Sequence, residues 1–187
     1  ASGADSFAAA ITNNGSSYGA TGANGVAIGQ LAKAGSAGQS VAIGGSCIAS
    51  GTSSIAISGY FASATGSGSL AIGQYAAASG INSISIGYRS KANTQGKIAL
   101  SAGATSGIGS GAGHQQRGIY ILKGATTDAT QKVLTGLGNT AAASNSWVLE
   151  NNASHAFSGT VIARQDGTDG DDYAAWEVKG AVMRADT

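Results

Sequence analysis

The chain has 187 residues, ten of them basic and nine acidic, with a net charge of +1, 31 glycines, no proline and one cysteine. A single cysteine excludes a disulfide framework, and no stretch is long and apolar enough to span a bilayer as a helix. Charge is uneven: between Ser6 and Thr127 there are six bases and no acid, while eight acids and four bases lie from Asp128 onward.

In chain order, residues 1–24 read as an irregular N-terminal cap. Ser6-Phe7-Ala8-Ala9 is a degenerate coil, followed by an insertion through Asn13-Asn14-Gly15. The start at Ala1 rather than Met reads as a processed chain or a piece of a longer one. From residue 25 a short phrase returns six times: Val26-Ala27-Ile28-Gly29, Val41-Ala42-Ile43-Gly44, Ile55-Ala56-Ile57-Ser58, Leu70-Ala71-Ile72-Gly73, Ile84-Ser85-Ile86-Gly87 and Ile98-Ala99-Leu100-Ser101. The second aliphatic recurs in steps of 15, 14, 15, 14 and 14, and a fixed short period marks a solenoid. Aliphatic, small, aliphatic is a strand with one buried face. This alternation places Val26, Ile28, Val41, Ile43, Ile55, Ile57, Leu70, Ile72, Ile84, Ile86, Ile98 and Leu100 in the interior and turns Ala42 outward. Small residues two apart follow each phrase, as at Ala32 and Ala34 or Cys47 and Ala49, and read as a second short strand. The step from Ile57 to Ile72 holds one extra residue near Gly59-Tyr60, a bulge. A thin stack of such coils buries little, so neighbouring copies must cover its alanine-rich faces.

The repeat Ser-Val-Ala-Ile-Gly followed by spaced alanines resembles the head repeat of trimeric autotransporter adhesins, the YadA-like head. The resemblance covers about Gly25 to Gly103. It implies a left-handed parallel β-roll with three chains side by side, hence a homotrimer.

The roll is expected over residues 25–113, leaving through the glycines between Gly103 and Gly113. Residues 114–187 read as an antiparallel, sandwich-like β-domain that is truncated. Its strands are expected at Ile119–Leu122, Lys132–Leu134, Trp147–Glu150, Ala156–Arg164 and Tyr173–Arg184, with a hairpin loop over Gly167–Asp172. The runs Trp147–Asn152, Ala156–Arg164 and Ala175–Gly180 resemble a β-domain at the ends of bacteriophage tail fibres. The fold class is therefore all-β throughout.

Catalytic signals are weak. The repeats supply no carboxylate pair for glycoside hydrolysis, and Glu150 and Glu177 lie on separate strands. Cys47 fills a slot that is Ala or Ser elsewhere and has no base at hand. His114 and His155 stand alone as ligands. Asp166, Asp169, Asp171 and Asp172 could gather around Ca²⁺, but Gly167 and Gly170 suit a solvated hairpin better. No phosphate-binding glycine loop is present. No cofactor, nucleic-acid partner or membrane insertion is expected, and the chain does not read as an enzyme.

Tyr60, Tyr75 and Tyr88 recur just after the strand-ending position and form a ladder on one outer edge, suited to stacking on sugars. Arg89, Lys91 and Lys97 are the densest basic cluster. These residues read either as ordinary surface groups, the tyrosines stacked by the repeat and the bases keeping a glycine- and alanine-rich rod soluble, or as contacts for an anionic host-surface glycan or lipopolysaccharide. The expected role is host attachment by a trimeric fibre. The primary expectation is a bacteriophage tail fibre or spike on the virion surface, partnered by other tail or fibre proteins. The alternative is the head of a bacterial adhesin at the cell surface. A depolymerase is disfavoured by the missing carboxylates, and ice binding by the lack of a threonine array.

Overall fold

The computed structural model describes residues 1–9, 18–35, 37–102, 116–126, 131–136, 140–142, 144–147, 149, 153–164 and 173–185. The expected insertion at Asn13–Gly15, the exit through Gly103–Gly113, His114, Glu150 and the Gly167–Asp172 loop with its aspartates lie outside those residues. The described elements are all strands. In chain order they are β1 (Phe7–Ala9), β2 (Gly19–Ala20), β3 (Val26–Ile28), β4 (Lys33–Ala34), β5 (Val41–Gly45), β6 (Ile48–Ala49), β7 (Ile55–Tyr60) and β8 (Ser63–Ala64). They continue with β9 (Leu70–Ile72), β10 (Ala77–Ala78), β11 (Ile84–Ile86), β12 (Lys91–Ala92), β13 (Ile98–Ser101), β14 (Gln116–Ile119), β15 (Ala153–Arg164) and β16 (Tyr173–Arg184).

Two compact units result, Ala1–Trp147 and Val148–Thr187. The first is a parallel β-solenoid. Its odd-numbered strands β1 to β13 stack as parallel neighbours in an eight-stranded sheet, which β14 closes by antiparallel pairing. The even strands β2 to β12 form a six-stranded parallel sheet. Each coil thus runs strand, turn, strand, turn, as the period requires. The degenerate coil joins the stack, with Phe7 paired to Val26 and Ala9 to Ile28. The described residues between Gln116 and Trp147 fall in the first unit.

The repeated aliphatics stack in register, Ile28 on Ile43, Ile57, Ile72, Ile86 and Leu100. They face outward, however, not inward. Ile28, Ile57, Ile86 and Leu100 are 36–39% exposed, and Val26, Val41, Ile43, Ile55, Leu70, Ile72, Ile84 and Ile98 lie on the same outer face. The interior is lined by Ala27, Ala42, Ala56, Ala71, Ser85 and Ala99 from one wall and by Ala34, Ala49, Ala64, Ala78 and Ala92 from the other, all essentially fully buried. Ala42 therefore points into the roll. The reason is width. A coil of about fourteen residues closes so tightly that side chains from opposite walls meet with one or two heavy atoms each. Ser85 and Ser90 Oγ atoms are 2.6 Å apart across the lumen. No space remains for a leucine or isoleucine.

The bulge falls where the extra residue placed it. Ile43 pairs with Ile57, but Gly45 pairs with Tyr60, so β7 carries one more residue than β5. Gly29, Gly44, Gly73 and Gly87 end their strands at φ between 102° and 117°. Ser58 holds the equivalent place in the bulged coil, where no positive φ is needed. Its hydroxyl accepts a 3.1 Å hydrogen bond from the Tyr60 amide.

The roll is closed at its C-terminal end. β14 pairs along β13. The Gln116 side-chain amide then imitates one more strand residue beside β12, its Oε1 accepting from the Lys91 amide at 2.7 Å and its Nε2 donating to the Lys91 carbonyl at 2.9 Å. The Gln95 amide donates to the Ser144 carbonyl at 2.8 Å. Both open edges thus receive partners, which blunts strand addition. The expected strand at Lys132–Leu134 is reduced to a bridge between Lys123 and Thr135, and the strand expected at Ile119–Leu122 lies earlier, at Gln116–Ile119. Neither Trp147 nor Leu149 is in a strand.

The second unit is antiparallel, as expected, and among the described residues it is one two-stranded sheet. β15 and β16 pair over twelve positions, from Ala153 with Arg184 to Arg164 with Tyr173. Period-two alternation gives it two faces. His155, Val182, Phe157, Val178, Val161 and Trp176 share one, and Ser158, Lys179, Thr160, Glu177 and Arg164 share the other with Ile162, Tyr173 and Met183.

Candidate functional site

Each coil makes two turns, and both need left-handed backbone. One turn column holds Asp5, Asn24, Gln39, Ser53, Gly68, Asn82 and Gly96, all at φ of 52–68°. Such residues are mostly small or polar ones that tolerate this region. The other column holds Leu31, Ser46, Phe61, Tyr75 and Arg89 at φ of 52–59°. Here bulky side chains occupy a conformation that suits glycine or asparagine.

That second column builds an aromatic strip along the edge of the roll. Phe61 and Tyr75 stack with centroids 5.7 Å apart and planes 11° from parallel. Tyr60 sits edge-on to both, at 4.2 Å from Phe61 and 5.9 Å from Tyr75. Tyr88 continues the strip 6.2 Å from Tyr75. The Arg89 guanidinium lies 5.5 Å from the Tyr75 ring and 5.4 Å from the Tyr88 ring, a cation–π arrangement with two faces. Tyr60, Phe61 and Tyr75 are exposed, and Tyr88 and Arg89 are half-buried.

The three tyrosines singled out in the sequence are therefore brought together, but the basic cluster is not. Arg89 joins the strip. Lys91 lies on β12 with its backbone clamped by Gln116. Lys97 is only 6% exposed. It occupies the slot held by the inward serines Ser40, Ser54, Ser69 and Ser83 in earlier coils, and its Nζ lies 5.5 Å from the centroid of the Tyr120 ring. As the last such slot before the closing segment, it admits a long side chain where earlier coils would clash. Lys97 is thus part of the closure and not of a surface patch.

Phe61 and Gln116 were missed by sequence reasoning. Phe61 was signalled by its place in the column of Tyr75 and Arg89. Gln116 carried no local signal, because its partner is 25 residues away.

The other candidates stay apart. The Cys47 thiol is buried and donates to the Ser58 carbonyl at 3.4 Å. His155 faces Val182 across the hairpin. Glu177 pairs with Lys179 at 2.7 Å, both well exposed, an ion pair of small energetic weight. Among the described residues no three His, Cys, Asp or Glu side chains are placed to share a metal ion.

The YadA head domain repeat matches residues 20–46, 49–76 and 78–97, under half of the chain and all within the roll. No curated protein matches the sequence.

Proposed function

We propose that the chain is a head module of a homotrimeric surface adhesin, exposed on a bacterial cell and serving in attachment. The observation that carries this reading is the inverted roll: its alanines are inside and twelve aliphatics stand in two columns on one outer face. A monomeric protein rarely leaves so continuous an apolar patch open. Covering the remaining third of each such side chain is worth roughly 6–12 kcal/mol per protomer, before the cost of association. Two further copies of the chain supply that cover in the arrangement the YadA-head similarity implies. Sedimentation equilibrium of the chain tests it: the mass of a trimer is expected, and a stable folded monomer overturns the reading.

A second reading, a bacteriophage tail-fibre module on the virion surface with other tail proteins as partners, draws support from the hairpin. Its paired segments are those whose sequence resembles tail-fibre ends. Microscopy of the native particle or cell, showing what flanks this segment, decides between the two.

A further inference from the structure

We propose that the strip of Tyr60, Phe61, Tyr75, Tyr88 and Arg89 is a binding site for an acidic polysaccharide, laid along the edge of the roll across three successive coils. This deepens the attachment reading by assigning its ligand and its contact residues.

Four observations converge on the strip. The first is shape. Stacked coils repeat every 4.7–4.9 Å or so, so the side chains form a linear track suited to a linear polymer. The second is chemistry. Exposed aromatic rings present π-faces that attract the weakly positive C–H patches of a pyranose. The Arg89 guanidinium, packed against the Tyr75 and Tyr88 rings, sets a permanent positive charge at the end of the track that attracts a carboxylate or phosphate. The third is the field. No acid lies between Ser6 and Thr127, and among the described residues Asp5, in the opposite turn column, is the only carboxylate side chain of the roll. The fourth is backbone conformation. Phe61, Tyr75 and Arg89 occupy left-handed positions, whereas the opposite turn of the same coils uses Ser53, Gly68 and Asn82. A large side chain kept where a small one fits better points to a use for that side chain.

The test uses the full chain with Tyr75→Asn and Arg89→Asn, since asparagine accepts left-handed backbone and should leave the turn intact. Leu31→Asn, in the same turn column but two coils from the strip, is the control. Sedimentation and circular dichroism first establish assembly and fold for each protein. Retention is then measured on alginate, on phosphorylated lipopolysaccharide, on neutral dextran and on a single-stranded oligonucleotide, at low and high salt. The expected result is retention on an anionic polysaccharide that weakens as salt rises, with about a tenfold loss in Arg89→Asn and in Tyr75→Asn and none in Leu31→Asn. Retention on alginate alone assigns a carboxylate ligand, and on lipopolysaccharide alone a phosphate one. Equal retention of all three variants, equal retention on dextran, or preference for the oligonucleotide overturns the proposal. Dissociation of the assembly by Tyr75→Asn overturns it too, because the strip is then a contact between copies. Oligomeric state is read separately, so a monomer that still binds would sink the trimer reading and leave this one standing.

Discussion

The hydroxyls of Ser85 and Ser90 meet 2.6 Å apart inside the roll, in the only described coil where both facing slots are serine. In other coils those slots hold Ala27 and Ala32, Ala42 and Cys47, Ala56 and Ala62, or Ala71 and Ala76, all buried. Two polar substitutions in an apolar lumen thus satisfy each other. Ser90 Oγ has a second partner in the Gly87 carbonyl at 3.1 Å.

That asymmetry fixes the order of a mutant cycle. Ser90→Ala strands the Ser85 hydroxyl in the lumen and should cost about 1–3 kcal/mol. Ser85→Ala should cost less, because Ser90 keeps the Gly87 carbonyl. The double alanine variant restores the lining of the neighbouring coils and should be within about 1 kcal/mol of the parent. Thermal unfolding of the four proteins measures the coupling, and additive losses would contradict it.

Neighbouring residues of one strand should fail in different ways. Ala56→Leu forces a side chain into the filled lumen and should lower stability by about 1–3 kcal/mol or more. Ile57→Glu leaves the lumen untouched and places a charge in the outer aliphatic column. It should preserve the β-sheet signal in circular dichroism and abolish assembly in sedimentation, since a charge buried between copies has no partner.

The turn glycines should be intolerant up to the last coil. A Cβ on Gly66 would overlap the Gly80 carbonyl of the next coil, and one on Gly80 would overlap the carbonyl of Thr94. Gly66→Ala should therefore cost roughly 3 kcal/mol or more in denaturant unfolding. Thr94 holds the same place in the last coil and carries its side chain buried. Thr94→Gly should consequently bring no gain in stability.

Closure by Gln116 should depend on its amide. Gln116→Ala removes both hydrogen bonds that the Gln116 side-chain amide makes with the Lys91 backbone and should cost about 1–3 kcal/mol, with faster hydrogen exchange at the Lys91 amide. Gln116→Glu can still accept from that amide but sets a carboxylate against the Lys91 carbonyl, so it should not rescue. Equal exchange in all three proteins would show that the clamp does not hold in solution.

The order of the chain was legible in the sequence because local rules govern it. The period of 14 or 15 residues set the coils, the extra residue near Tyr60 set the bulge, and alternation through Ala156–Arg164 and Tyr173–Arg184 set the hairpin strands. The nearness of Tyr60, Tyr75 and Tyr88 was legible in outline, since neighbouring coils lie side by side, but Tyr75 stands in the column of Phe61 and Arg89, with Tyr60 and Tyr88 one residue before it. What alternation alone does not contain is direction. A period of two says that Val26, Ile28 and their counterparts share a face opposite to Ala27, and it is silent on which face is inside. The width of the closed coil decided that, by admitting methyl and hydroxymethyl groups and rejecting aliphatic chains, and so turned an expected core into an outer surface. Lys97 followed the same logic. Its place in the repeat put it on the inward register, and only the closing segment with Tyr120 made that position habitable for a lysine.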